Sequence, residues 1–166
     1  MTAMISSDGL YRYDLVRFAN DLHNKTTPCV FIMLNPSTAD GVKDDATIRR
    51  CRRYAEDWGY GKMVVVNLFA FRATKPEDLK AADDPIGPVN DKILTRYIEY
   101  ALQWKGPIVC AWGTHGAFKQ RGQQVFDLIK GLGGEPLCLR ATLHGHPSHP
   151  LYLPKTLKPI PYEGMP

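Results

Sequence analysis

Three groups of residues have types and spacing suited to chemistry. The first is Asn35-Pro36-Ser37-Thr38, directly after the apolar run CVFIML, where an amide, two hydroxyls and loop N–H groups can be aimed at a ligand. The same residue types also build ordinary turns, so the pattern carries both readings. The second is Asn67 in VVVNLFAF. A buried amide needs hydrogen-bond partners, and these come either from a neighbouring loop or from a ligand such as a nucleobase edge, because an amide offers donor and acceptor side by side. The third is the loop holding His144, His146 and His149. Imidazole serves as a metal ligand or as a proton-transfer group. A metal would need further ligands, and Pro147 and Pro150 restrict how this loop can wrap, so one histidine acting as an electrostatic or proton-transfer group is the preferred reading.

Charge adds a second layer. Asp40, Asp44 and Asp45 precede a stretch carrying Arg49, Arg50, Arg52 and Arg53. Acid before base suits a helix dipole, so a solvated helix accounts for most of these charges. Asp44 or Asp45 at the helix start can also orient a water, and Arg50 or Arg53 can pair with a phosphate. Lys119 and Arg121 form a smaller basic cluster, Arg72 follows the second apolar run, and residues 140–158 contain no acid. Such patches suit a nucleic-acid backbone, with Arg50, Arg72 and Lys119 the candidate phosphate ligands.

The elements that must position these groups alternate in type. Strand-like runs at Pro28–Leu34, Lys62–Phe71, Pro107–Trp112 and Pro136–Arg140 are separated by helical spacing over Ala46–Trp58 and Val89–Trp104 and by a helix opening at Thr114. Lys75–Ala82 reads as a short helix and Tyr11–Phe18 as an edge strand. This order predicts one α/β domain over residues 1–166, a three-layer α/β/α fold with a central, mostly parallel four-stranded sheet. The proline-rich tail from Pro147 is expected to wrap the surface as extended chain. Ligands of open α/β sheets bind beyond the carboxyl ends of the strands. Asn35, Asn67, Trp112 with Thr114 and His115, and the histidine loop all fall at such ends.

Composition narrows the class. With 44% hydrophobic and 23% charged residues the chain is an ordinary globular one rather than a disordered one. No apolar run approaches the ~20 residues that span a bilayer. The N-terminus lacks a basic segment followed by an apolar one, so cytoplasmic residence is expected. The four cysteines stand far apart with no C-x-x-C pair, which removes zinc-ribbon and thioredoxin-type sites. Phosphate-loop, dinucleotide-fingerprint and nucleophile-elbow motifs are missing from the sequence.

Several separated strings carry a resemblance. LNPSTAD, the Asp45, Thr47, Arg49 and Arg50 spacing, Gly59–Gly61, NLFAFRAT and GPVND look like a bacterial and phage family of uncharacterised proteins. More distantly, four motifs in order resemble the uracil-DNA glycosylase superfamily: Leu34-Asn35-Pro36, Asn67, Ala111-Trp112-Gly113 and His146-Pro147-Ser148. That resemblance implies a glycosylase-like fold. It implies Asn35 positioning a water, Asn67 holding a base edge and His146 stabilising charge on a departing base, with Pro36, Ser37, Trp112 and Ser148 contacting the base or nucleotide. No cofactor is implied, neither organic nor metal. The partner is a nucleic acid or nucleotide, with no membrane. The Asn-Pro motif lacks the superfamily's aspartate, no aromatic follows Pro36, and His149 stands where a proline and an apolar wedge are usual. Nucleobase or nucleic-acid recognition with hydrolysis of an N-glycosidic bond is therefore one reading. A non-catalytic nucleotide- or nucleic-acid-binding module, or an interaction protein of phage or defence type, is the other.

Overall fold

The computed structural model describes residues 1–19, 27–37, 39 and 42–164, so Thr38 and Asp40 of the motifs above lie outside the described residues. The elements are β1 (Thr2–Ile5), β2 (Arg12–Phe18), β3 (Pro28–Met33), α1 (Ala46–Asp57), β4 (Lys62–Asn67), α2 (Pro76–Ala81), α3 (Asn90–Gln103), β5 (Ile108–Cys110), α4 (Arg121–Gly131), β6 (Pro136–Cys138) and β7 (Ile160–Pro161). Short 3₁₀ turns cover Thr114–Gln120 and Pro150–Tyr152. No helix among the described residues is long and apolar enough to cross a membrane.

The fold is α/β, built on one mixed seven-stranded sheet in the order β1-β2-β4-β3-β5-β6-β7. The four strands read from the apolar runs, β3, β4, β5 and β6, pair in parallel. Three antiparallel strands extend them on both sides, which corrects the expectation of four strands. β2 is not an edge, because β1 pairs outside it. β1 and β7 are short and mostly exposed, so they bury too little apolar surface to leave a pattern in the sequence.

β3 is buried along its whole length because both faces of the sheet are covered. On one face α3 contributes Ile93, Leu94, Ile98 and Ala101, and α4 adds Val125 and Ile129. On the other, α1 buries Ile48, Cys51, Tyr54 and Ala55 against Phe31, Met63 and Val65. These positions recur every three to four residues, the stripe a helix turns toward a core. Asp45 caps α1 by accepting the Ile48 N–H at 2.8 Å. Gly59 then takes φ +85°, a conformation that favours glycine after a helix end.

The tail lies along α1. The Tyr54 hydroxyl donates to the Pro154 carbonyl at 2.6 Å and the Trp58 indole N–H to the Leu157 carbonyl at 3.0 Å. Two expected elements differ in extent. The run Lys62–Phe71 leaves the ladder at Asn67, although Leu68, Phe69 and Ala70 stay fully buried. The helix expected from Thr114 is α4 and begins only at Arg121, after a 3₁₀ turn in which Lys119 and Gln120 adopt positive φ. That kink folds Gly116 and Gly122 onto the flat of Trp112. A Cβ on Gly116 would sit 2.1 Å from Trp112 Cδ1, so only glycine permits the approach.

Candidate functional site

The parallel order reverses beside β3: the chain passes from β3 to β4 on one side, then to β5 on the other. A cleft of about 600 Å³ opens there, beyond the carboxyl ends of the strands. Leu34, Asn35 and Ser37 come from the loop after β3 and Asn67 from the end of β4. Trp112, Thr114 and His115 follow β5, and Ser148 and His149 follow β6. Arg12 of β2, Asp45 and Thr47 at the start of α1, and Thr74, Thr142 and Tyr152 add to the polar lining, over an apolar floor that includes Met33, Ile48, Val65 and Leu153.

Asn67 is 1% exposed, and neither Nδ2 nor Oδ1 has a partner. Its backbone carbonyl is used, accepting Asn90 Nδ2 at 3.0 Å, so the chain is fixed there while the buried side-chain amide has no partner among the described residues. Trp112 lines the same cleft with its indole N–H unpartnered and its ring packed edge-on against Tyr162. Asn35 is placed differently. Its Nδ2 donates to the Ala73 carbonyl at 2.8 Å and the Pro36 carbonyl at 3.0 Å, tying together the loops after β3 and β4. Those bonds occupy the donor end of the amide.

The loop after β6 is a tight turn. Thr142 N–H donates to the His146 carbonyl at 2.8 Å and Ser148 N–H to the Arg140 carbonyl at 2.8 Å. Gly113 N–H donates to the Pro147 carbonyl at 2.8 Å and holds this turn against the end of β5. The geometry brings Ser148 and His149 to the cleft, while His146 does not line it; its half-buried ring has an unpartnered Nδ1. His149 Nδ1 accepts the Leu151 N–H at 3.3 Å, so the neutral ring carries its proton on Nε2. Burial pulls the His149 pKa below its ordinary 6.5, against the opposing charge of Asp45, and favours that neutral ring.

Arg12 is 2% exposed, with its Nε unpartnered and one terminal nitrogen donating to the Ala39 carbonyl. Burial lowers its pKa to about 10, opposed first by Asp45, so it is charged at neutral pH. Asp45 thus stands electrostatically between Arg12 and His149. Asp44, the other candidate acid, does not line the cleft; it pairs with buried Arg17 at 2.7 Å.

Of the expected site residues, Asn35, Ser37, Asn67, Trp112 and Ser148 converge on this cleft. Pro36 is buried beneath it. Arg50, Arg72 and Lys119 do not line it. Arg72 donates to the Gly9 carbonyl at 3.2 Å, and Lys119 is exposed over the Phe118 ring. Arg121 is buried, donates to the Leu68 carbonyl at 2.9 Å and pairs with Asp91, which makes it structural. Arg12 was not singled out from sequence, where a strand arginine gives no sign of burial. His149 could not be separated from His144 and His146, because only the folded turn decides which imidazole faces inward. Among the described residues no group of three or more His, Cys, Asp or Glu side chains is arranged to hold a metal ion.

A family model described as "Protein of unknown function (DUF1643)" matches residues 12–151, most of the chain. The chain belongs to the DUF1643 family. The matched span of this DUF1643 protein starts at Arg12 and takes in all of the cleft lining except Tyr152 and Leu153. No curated protein matches, and no solved structure matches.

Proposed function

We propose that the cleft recognises a nucleobase, presented by a nucleotide or a nucleic acid, and that it hydrolyses the base's N-glycosidic bond. The observation that carries the reading is Asn67: a buried amide with both polar atoms free, lining a cleft at the switch point of the sheet. Buried amides in structural roles are satisfied by the protein. One left open is complementary to a ligand edge with a carbonyl beside an N–H. The arrival of Leu34-Asn35, Asn67, Trp112-Gly113 and Ser148 at one cleft supports the resemblance to uracil-DNA glycosylases, since those strand-end motifs carry it.

The chemistry follows from the residues at hand. Asn35 keeps its Oδ1 to accept a hydrogen bond from a bound water, its Nδ2 being engaged by backbone. The second oxygen of Asp45 has no partner among the described residues, the first capping α1. Water oxygen bonds to C1′ as the C1′–N bond breaks, and the bond's electron pair leaves with the base. Asp45 takes the water's proton. The Nε2–H of neutral His149 donates a hydrogen bond to the charge gathering on the base, the role that the resemblance gives to His146. A base in a duplex must first be flipped out.

The binding-module reading has its own support, because the Asn-Pro motif lacks an aspartate and Asp45 spends one oxygen on the helix cap. One experiment separates the two. Oligonucleotides carrying uracil and deaminated, alkylated and oxidised bases, with free nucleotides alongside, are scored together for retention and base release. Release lost in Asn67→Ala and Asp45→Asn supports hydrolysis. Retention without release, still dependent on Asn67, supports the module. Neither signal would remove nucleobase recognition altogether.

A further inference from the structure

A second depression, about 540 Å³, is lined by Ala46, Arg49, Arg50, Arg53, Leu151 and Lys155. It shares a wall with the cleft. Along α1, Asp45, Thr47 and Ile48 line the cleft while Ala46, Arg49, Arg50 and Arg53 line the groove. Along the tail, His149, Tyr152 and Leu153 line the cleft while Leu151 and Lys155 line the groove. Four cations and no acid meet there. Arg53 is paired with Asp57, but Arg49, Arg50 and Lys155 have no carboxylate partner among the described residues. The two bonds they do make are to the Asp44 and Leu153 carbonyls, from Arg49 at 2.6 Å and Arg50 at 3.4 Å, and these orient the guanidinium groups without neutralising them.

We propose that this groove holds the phosphodiester backbone of a nucleic-acid strand whose base occupies the adjoining cleft, an inference that rests on the nucleobase reading above. Spacing and charge both fit. Arg49 and Arg53 are one helical turn apart, about 6 Å along the axis. A duplex strand carries a phosphate about every 3.4 Å, so roughly two phosphates face that turn. Lys155 extends the cationic track along the tail. Guanidinium forks match phosphate oxygens in planar, two-point contacts. A mononucleotide seated in the cleft brings only its own phosphate, so the groove selects for a strand over a free nucleotide.

The test is the salt dependence of binding to fluorescent 12-mers, DNA and RNA in separate arms, with the matching nucleoside monophosphate as the short probe. Arg49→Gln/Arg50→Gln/Lys155→Gln is expected to weaken 12-mer binding by about tenfold or more and to make the log–log salt slope shallower by about 2, from three lost phosphate contacts. Monophosphate binding stays at the wild-type level. Lys155→Glu alone, at an exposed side chain with no partner among the described residues, keeps the test decisive if the triple variant folds poorly, and should flatten the slope by roughly 1. Unchanged 12-mer affinity and slope in these variants overturn the groove but leave base recognition intact. Loss of 12-mer binding in them, with Asn67→Ala behaving as wild type, keeps the groove and removes the base reading. Equally tight, equally salt-dependent binding of polyglutamate would assign the groove to acidic peptides and overturn the proposal.

Discussion

Replacing Asn67 by leucine should make the ligand-free protein more stable. Both polar atoms of Asn67 are buried without partners among the described residues. Leaving a buried donor or acceptor unsatisfied costs about 1–3 kcal/mol, and an apolar group of similar shape removes that cost. Leucine has the same branching, and the open cleft beside position 67 takes up its extra volume. Even after some loss to imperfect packing, the expected gain is about 1–3 kcal/mol. For a chain of this size each kcal/mol moves Tm by about 2–4 °C, so the rise is roughly 2–12 °C. The assay is thermal melting without ligand, with urea unfolding as a check on the slope. Asn90→Leu is the contrast. Its Nδ2 donates to the carbonyls of Asn67 and Leu68, both at 3.0 Å; the substitution strips the Asn67 carbonyl of that donor and leaves the Leu68 carbonyl with Arg121 Nε alone, so it should cost about 1–3 kcal/mol. If Asn67→Leu instead destabilises by 1 kcal/mol or more, the amide is doing structural work and the functional reading of this position fails.

The native His149 pKa lies below 6.5, so the unfolded chain binds a proton first as the solution acidifies; stability is full above about pH 6.5 and falls as pH drops toward the lowered native value. His149→Gln should flatten that part of the Tm–pH curve. Gly116→Ala places a Cβ against the Trp112 ring and should cost about 1–3 kcal/mol with a shift in tryptophan fluorescence, the indole being displaced. All four cysteines are free and buried, and burial pushes their thiols up, Cys138 to about 11 and Cys29, Cys51 and Cys110 further, so a thiol reagent at pH 8 should label none in the native protein and all four in denaturant. Carbonyl-rich bases should compete for the cleft better than amino-rich ones, read as displacement of a bound 12-mer; the reverse order would show that the cleft is not donor-rich.

How much the sequence disclosed depends on where each element's signal came from. β3, β4 and β5 were legible because strands covered on both faces read as continuous apolar runs, and α1 and α3 because their buried residues recur at helical spacing. β1 and β7 were not, since a few exposed residues gain their place by backbone pairing, which leaves no mark on side-chain type. The break at Phe118–Gln120 was hidden for a related reason: it accompanies a tertiary contact, the packing of Gly116 and Gly122 on either side of it against Trp112, in residues that read as ordinary helix. At the site, Asn67 stood out because a polar residue inside an apolar run conflicts with its surroundings. Arg12 did not, because β2 carries Arg12, Asp14 and Arg17 together and all three are buried.

The orphaned groups say more together than singly. Seven buried side-chain nitrogen or oxygen atoms lack a partner among the described residues, and four of them belong to Arg12, Asn67 and Trp112. All three residues line one cleft. Unsatisfied groups left by imperfect packing would have no reason to gather, whereas a site that waits for a ligand concentrates them at the place where the ligand completes the bonds. Their types specify the complement. Arg12 Nε–H only donates and the Asn67 amide donates through nitrogen and accepts through oxygen, whereas Trp112 Nε1 lies against Gly116 and Gly122. Donors therefore outnumber acceptors, and the cation is held in a buried setting where its field is weakly screened. Under the proposed nucleobase reading, this set favours an oxo-substituted base over an amino-substituted one. Asp45 and neutral His149 share the cleft with Arg12, whose charge balances the carboxylate, and the imidazole Nε2–H adds a further donor.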